Sequence, residues 1–207
     1  GLVDFLRSSQ TGDSGGVPSY AKHFYPLKQS LRHDSLNEIA FSQGGSAAVT
    51  YQATPRYTDG TSLLNPAFPY TMDTVATLTT DNGLGNSATW NYSYQGGEIY
   101  FNTSFDKQFA GFSGIEVAQP DGSIITKYFH QDDQSLIGRI YQSEVRDDAG
   151  VLVRKTTDDF DIQEFVAATG DHPAITSVMG TLQTRFVYEP SGSYEQAATT
   201  SAYDCAT

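Results

Sequence analysis

Residues 105 to 154, FDKQFAGFSGIEVAQPDGSIITKYFHQDDQSLIGRIYQSEVRDDAGVLVR, oblige the chain to reverse twice in quick succession. Ile115, Val117 and Ala118 lead into Pro120-Asp121-Gly122, and Ile124, Thr126, Tyr128 and Phe129 lead out. Proline at the second turn position fixes φ, and glycine supplies a positive φ that other residues resist. After a short link, Ile140, Tyr141 and Val145 run into Asp147-Asp148-Ala149-Gly150, and Val151, Leu152 and Val153 return. β-Branched and aromatic residues on both sides of two turn signals predict two antiparallel hairpins back to back.

The same grammar extends outward. Asn37 to Ala53 breaks at Gly44-Gly45 and resumes with Ala47, Val49 and Tyr51 in strict alternation, a further hairpin. Thr74 to Thr80 is a β-branched strand turning at Asp81-Asn82-Gly83, and Trp90, Tyr92 and Tyr94 alternate with polar partners. Gln95-Gly96-Gly97 reads as a turn into Ile99-Tyr100-Phe101, and Pro190-Ser191-Gly192 as the turn of a last hairpin from Phe186–Tyr188 to Tyr194–Tyr203. Residues 55 to 73, with Pro55, Pro66 and Pro69, read as a long loop, because proline cannot donate to a ladder. Residues 8 to 19 (SSQTGDSGGVPS) read as a polar link, and Tyr20 to Leu31, which contains Pro26, as irregular or a short edge strand. Phe160 to Ala168 fits a helical turn or a strand, and residues 169 to 181 are loop-like. The expected fold is all-β, built of antiparallel hairpins, with no fixed-period repeat and no linker from Ser35 onward.

A hydrophobic fraction of 38%, beside 13 Tyr, 12 Phe and 19 Gly, suits sheets with thin or one-sided cores. Acidic residues outnumber basic ones 24 to 12, and the resulting charge of −12 repels nucleic acid and anionic membrane surfaces. Cys205 is the only cysteine, so no internal disulfide forms. No apolar run approaches the roughly 20 residues of a membrane-spanning helix, so no direct membrane insertion is expected. The first residues lack a leader pattern, so export is expected to rely on another part of the polypeptide or on a route without a leader.

Candidate chemistry is sparse. His130-Gln131-Asp132-Asp133 is the best candidate for a metal or acid–base cluster, but strand alternation lets only His130 and Asp132 share a face and excludes Asp133, so the spacing does not guarantee convergent ligands. The expected role of these acids is to fix a turn through side-chain to backbone bonds. The run Asp158-Asp159-Phe160-Asp161 with Glu164 suggests a calcium loop or a glycosidase pair, the latter needing carboxylates about 5 to 9 Å apart in a cleft. A solvated acidic edge that blocks unwanted strand pairing is the simpler reading. Trp90 and the aromatic stripes suit a sugar-binding face or cross-strand packing. No nucleophile elbow, zinc-protease helix or phosphate loop is present. No catalytic, cofactor-binding or metal residue is assigned, no cofactor is expected, and the chain is not expected to be an enzyme.

The stretches FAGFSGIEVAQPDGSIITKYFHQDD and GRIYQSEVRDDAGVLV resemble the wall-forming segment of the B-component of insecticidal toxin complexes (Tc) and related Rhs/YD-repeat and SpvB-like toxins. SLNEIAFSQGGSAAVTYQATPRY and TDNGLGNSATWNYSYQGGEIYF upstream, and TRFVYEPSGSYEQAATTSAYD downstream, resemble that family's stretches in the same order, from Ser35 to Asp204. Gly1-Leu2-Val3-Asp4 resembles the end of an integrin-type calcium repeat (FG-GAP/VCBS), although Asp4 alone cannot supply the six to eight oxygens that calcium takes. The resemblance implies the tail of such a repeat plus a linker over residues 1–19, and an Rhs-like β-sheet wall over 20–207. It implies a structural role in a secreted shell that sequesters a C-terminal toxic payload. The implied partners are the other shell parts, a propeller and that payload. The family's self-cleavage motif is not matched, and Tyr203-Asp204-Cys205 departs from the usual Tyr-Gly-Asn continuation. The rival is an extracellular carbohydrate- or protein-binding module, adhesin-like; a hydrolase using the acidic pairs is weaker. Strands near Phe5 and Tyr203 are expected to be free edges open to self-association.

Overall fold

The computed structural model describes residues 5–14, 17–25, 35–42, 44–101, 107–167, 169, 175–189 and 191–202. Gly1, Asp4, Pro190, Tyr203 and Cys205, and with them the calcium-repeat reading, lie outside the described residues. The chain divides into two units, Gly1–Asn37 and Glu38–Thr207.

In the first unit, β1 (Phe5–Ser14) pairs antiparallel with β2 (Val17–Tyr25). Residues 8–14 and 17–19 of the polar stretch read from the sequence as a link therefore lie in paired strands. Polarity misled that reading, because a ladder is made by the backbone and does not require apolar side chains.

The second unit is one sheet whose ten strands lie side by side in chain order, each antiparallel to its neighbours. They are β3 (Glu38–Ala40), β4 (Ser46–Ala53), β5 (Asp73–Asp81), β6 (Ser87–Phe101) and β7 (Lys107–Ala118). β8 (Ile124–Phe129), β9 (Ile140–Arg146), β10 (Leu152–Val166), β11 (Ile175–Tyr188) and β12 (Tyr194–Thr200) complete it. A 3-10 turn at Thr54–Arg56 is the only helical element among the described residues. The all-β antiparallel fold read from the sequence is the fold observed. Phe160 to Val166 belongs to β10, and β11 already begins at Ile175, inside the stretch read as a loop. Gln95-Gly96-Gly97 is not a turn: β6 runs straight through it.

Because successive strands alternate in direction, their connections alternate between two rims. One rim carries only tight turns, and glycine builds them in one way. Phe41, Gln119, Asp147 and Glu189 each donate their N–H to the C=O four residues on, at 2.8–2.9 Å. The glycine at the fourth position (Gly44, Gly122, Gly150, Gly192) donates back to the C=O of the first at 2.9–3.0 Å. Each of these glycines has φ between 81° and 95°. This is a type I turn closed by a left-handed residue, a hairpin geometry whose twist matches that of the strands. Asn82 to Asn86 on the same rim closes with the same first-to-fifth bond. Acidic and amide side chains brace the rim: Asp147 accepts from Val151 N at 2.8 Å, and Asn82 from Leu84 N at 2.8 Å. Asp121 accepts from the Ser123 hydroxyl and N–H, which hold its carboxyl below the usual range. The described connections of the opposite rim, 54–72 and 130–139, are long.

Apolar burial is slight. Tyr57, Ala110 and Phe112 are the buried hydrophobic residues among those described, beside buried Thr54, Asn65, Thr74, Thr126 and Thr184. Cohesion along the sheet comes from the backbone ladder and from cross-strand pairs such as Thr79–Thr89 (hydroxyls 2.9 Å apart) and Leu78 opposite Trp90.

The turns of neighbouring hairpins touch, so their glycines are not equivalent. A methyl group on Gly83 would overlap the Gly44 carbonyl, whereas Gly150 faces open space. Gly150→Ala is expected to cost about 1–2 kcal/mol, the penalty of left-handed backbone for a residue with a Cβ. Gly83→Ala is expected to cost about 3 kcal/mol or more, since overpacking adds to that penalty. Urea unfolding of the two variants measures the difference.

Candidate functional site

The long-loop rim holds the most elaborate arrangement of side chains. β5 pairs with β6 only from Thr77–Asp81 to Ser87–Asn91, so the second half of β6 has no strand on its β5 side. The loop 54–72 fills that wedge. Thr54 clasps its two ends: its N–H donates to Met72 O (2.8 Å), its hydroxyl to Tyr70 O (3.2 Å), and the hydroxyl oxygen accepts from Met72 N (3.1 Å). Leu64 O accepts from Gly96 N at 2.9 Å. The buried Asn65 amide donates to Tyr94 O and accepts from Gly97 N, both at 2.8 Å. That exchange of one donor and one acceptor is what an opposing peptide group gives in an antiparallel pair. Asn65 thus stands in for a missing strand residue.

A second amide acts beside it. Gln131 Nε2 donates to Gly96 O (2.8 Å) and to Gly111 O (3.0 Å), the latter beside the slip in the β6–β7 register between Glu98 and Ile99. Gly96 and Gly111 adopt φ of 61° and 87°, open to glycine and strained for other residues. Asn65 and Gln131 were not singled out in the sequence; the signal that pointed to them was glycine inside a strand pattern, which marks an irregular ladder.

Around this node the aromatic residues gather. Phe68 packs on Phe109, Tyr70 and Phe112 with ring centroids 5.3, 6.0 and 6.2 Å apart, and Tyr94 lies 5.0 Å from Phe112 and 5.5 Å from Tyr57. The Tyr57 hydroxyl shares a hydrogen bond with Thr74 at 2.8 Å. Burial, reinforced by Tyr57 and Tyr92, pushes the Tyr94 phenol up to about 12. Phe68, Tyr70 and Phe109 of the cluster, with Met72, Ile99 and Lys107, line an open groove of about 360 Å³.

The residues singled out in the sequence do not converge. His130 packs on Tyr141 and Phe160 with ring centroids 5.0 and 5.9 Å away, and its Nδ1 lies 3.9 Å from the exposed Asp132 carboxylate. Asp133 instead accepts from Ser135 N at 2.7 Å within the 130–139 loop, the turn-fixing role expected of it. Asp158 accepts from Gln183 Nε2 and Asp161 from Gln163 Nε2, each at 2.7 Å, so glutamines engage both carboxylates. Glu164 is exposed on β10. Trp90 is half-buried opposite Leu78 in the β5–β6 pair. Among the described residues no three His, Cys, Asp or Glu side chains are grouped as a metal would require, and no helix is long and apolar enough to cross a membrane.

No protein-family model matches the sequence, and no curated protein does. Among solved structures, the chain is similar in fold to the crystal structure of TcdB2-TccC3, a Tc toxin component. The TM-score is 0.63 at 12% sequence identity, over 78% of this chain. The match spans 11% of that chain, so these residues correspond to a small part of its length.

Two outcomes test the node. Asn65→Leu leaves the Tyr94 carbonyl and the Gly97 N–H without partners and is expected to cost about 2–4 kcal/mol in urea unfolding. The raised Tyr94 phenol gives a sign in alkali: the unfolded chain ionises near 10 and the folded one near 12. Stability present below pH 10 is therefore lost as pH rises from about 10 to about 12. Thermal melts across that window are expected to fall less for Tyr94→Phe than for the native chain.

Proposed function

We propose that this chain is a wall segment of a toxin-enclosing shell of the Tc B-component and Rhs type, acting as a barrier and carrying out no bond-making chemistry. The observation that carries the reading is the ten-strand meander in unbroken chain order, whose fold is similar to TcdB2-TccC3. A strip of this kind lengthens by adding hairpins and needs no second layer, which suits a partition between two aqueous spaces. The ordered sequence stretches from Ser35 to Asp204 support the same reading. So does a charge of −12, which keeps a large surface soluble. In this reading the partners are the remaining shell, a propeller and an enclosed payload, and the site of action is extracellular.

The test is to express the coding sequence that contains these residues together with its flanking regions. The product is imaged by electron microscopy and digested with protease. A hollow particle with this stretch in its wall, and a downstream segment resistant until the particle is denatured, is the expected result. A solid or extended product with no protected segment overturns the reading. The adhesin alternative is separated by a glycan array: a wall segment binds no glycan, whereas specific binding lost in Trp90→Ala favours the binding module.

A further inference from the structure

We propose that Asn82 is a self-modification site: the turn that holds it promotes loss of its side-chain amide as ammonia, through attack by the Gly83 backbone nitrogen. Asn82-Gly83 is the one Asn-Gly pair in the sequence. Glycine leaves its own nitrogen open to approach, because no Cβ stands beside it. That much is common to any such pair, and the bonds around this one set it apart. Every reacting group lies within residues 81–86, so the inference does not rest on the shell reading.

The nucleophile is the Gly83 nitrogen, whose N–H donates to Asp81 Oδ1 at 2.7 Å. A carboxylate at that distance from the proton to be removed is placed as a general base. The electrophile is the Asn82 side-chain carbonyl. Its Oδ1 accepts from Leu84 N at 2.8 Å and from Asn86 N at 3.2 Å. Two N–H donors on one carbonyl oxygen stabilise the negative charge that gathers there when the carbon is attacked. An oxygen held by N–H groups two and four residues on also draws the side chain back over the intervening Gly83 peptide. The frame around these groups is fixed. Asp81 pairs with Ser46 and Ser87, Asn82 N donates to Asn86 O at 3.1 Å, and Gly83 lies against the Gly44 carbonyl. Groups held in place in this way react as if highly concentrated. Asn82 and Leu84 are exposed, so water reaches the turn.

In the step itself the bond from Gly83 N to Asn82 Cγ forms while Asp81 takes the N–H proton. The Cγ–Nδ2 bond then breaks, and that proton leaves with the amide as ammonia. The product is a five-membered cyclic imide. Water opens it at the side-chain carbonyl to give aspartate at position 82, or at the backbone carbonyl to give a β-linked isoaspartate. Aspartate keeps the bonds from Leu84 and Asn86, now made to a charged acceptor. Isoaspartate lengthens the backbone by one methylene where the turn already abuts Gly44 and Gly45. Either product adds one negative charge to the rim of tight turns.

The experiment follows the expressed polypeptide that contains these residues, incubated in buffer and in strong urea, by peptide mapping with mass spectrometry. Asn82 is expected to exchange ammonia for water about tenfold faster in the folded protein than in urea, where the turn is absent. Asp81→Asn keeps an acceptor for the Gly83 N–H and removes the base. It is expected to slow the folded-state reaction about tenfold or more and to leave the rate in urea unchanged. Hydroxylamine, which captures a cyclic imide as a hydroxamate, gives a readout independent of any variant and is expected to label position 82 of the folded native chain. Asn86, on the same rim but followed by Ser87, is the internal reference and is expected to stay intact. A folded-state rate at or below the rate in urea overturns the proposal. So does a folded-state rate that Asp81→Asn leaves unchanged, conversion without a trappable imide, or equal conversion at Asn86.

Discussion

A backbone N–H or C=O turned away from water must find a partner, and in this molecule that demand falls on an unusually long, thinly covered ladder. Ten strands supply one another in sequence, with three buried hydrophobic residues among those described to assist them. Hydrogen bonds contribute little net free energy each, but leaving one unmade in a buried place is expensive. The architecture therefore depends less on attraction between side chains than on never breaking the ladder without a replacement. The glycine turns of one rim meet that demand by reversing the chain in three residues and rejoining the ladder at once.

The opposite rim shows what happens where the ladder does break. β5 and β6 diverge after Thr77 and Asn91, and the β6–β7 register slips between Glu98 and Ile99, next to Gly111. Asn65 and Gln131 supply amides at these places, and an amide side chain is the closest chemical copy of a peptide group. Asparagine and glutamine carry no charge to desolvate, so they do this more cheaply than a carboxylate or an ammonium would. The aromatic cluster of Phe68, Tyr94, Phe109 and Phe112 sits on the same spot, and its rings exclude water from these bonds. Water exclusion strengthens the amide contacts and also disfavours ionisation of Tyr94. The raised phenol and the patched ladder thus have one cause.

What was legible in the sequence was local. Pro120-Asp121-Gly122 and Asp147-Asp148-Ala149-Gly150 mark their turns through φ preferences and side-chain bonds that act within five residues, and these turns lie where they were read. Gly96-Gly97 carries the same signal with a different meaning. Glycine permits a left-handed residue in a turn and in an irregular strand alike, and what decides between them is Asn65, thirty-two positions from Gly97. No window along the chain contains that information. The strands over residues 8–14 and at Ile175 were missed for another reason. Their hydrogen bonds come from partners, and their side chains show no period that a local reading detects. For the candidate site, Asp133 was legible because it caps its own loop. His130 was misleading because its packing on Tyr141 and Phe160 is set by neighbouring strands.

The likeness to TcdB2-TccC3 at 12% identity is intelligible on the same physics. A fold that rests on an interlocking core constrains volume and shape at many positions, because core packing tolerates small changes in methylene count poorly. A fold that rests on its ladder asks much less of most side chains: they must alternate acceptably and stay soluble. Strict demands fall on few places, namely glycines with positive φ where turns abut, and amides where strands part. Such a sheet keeps its path through space while most of its residues change.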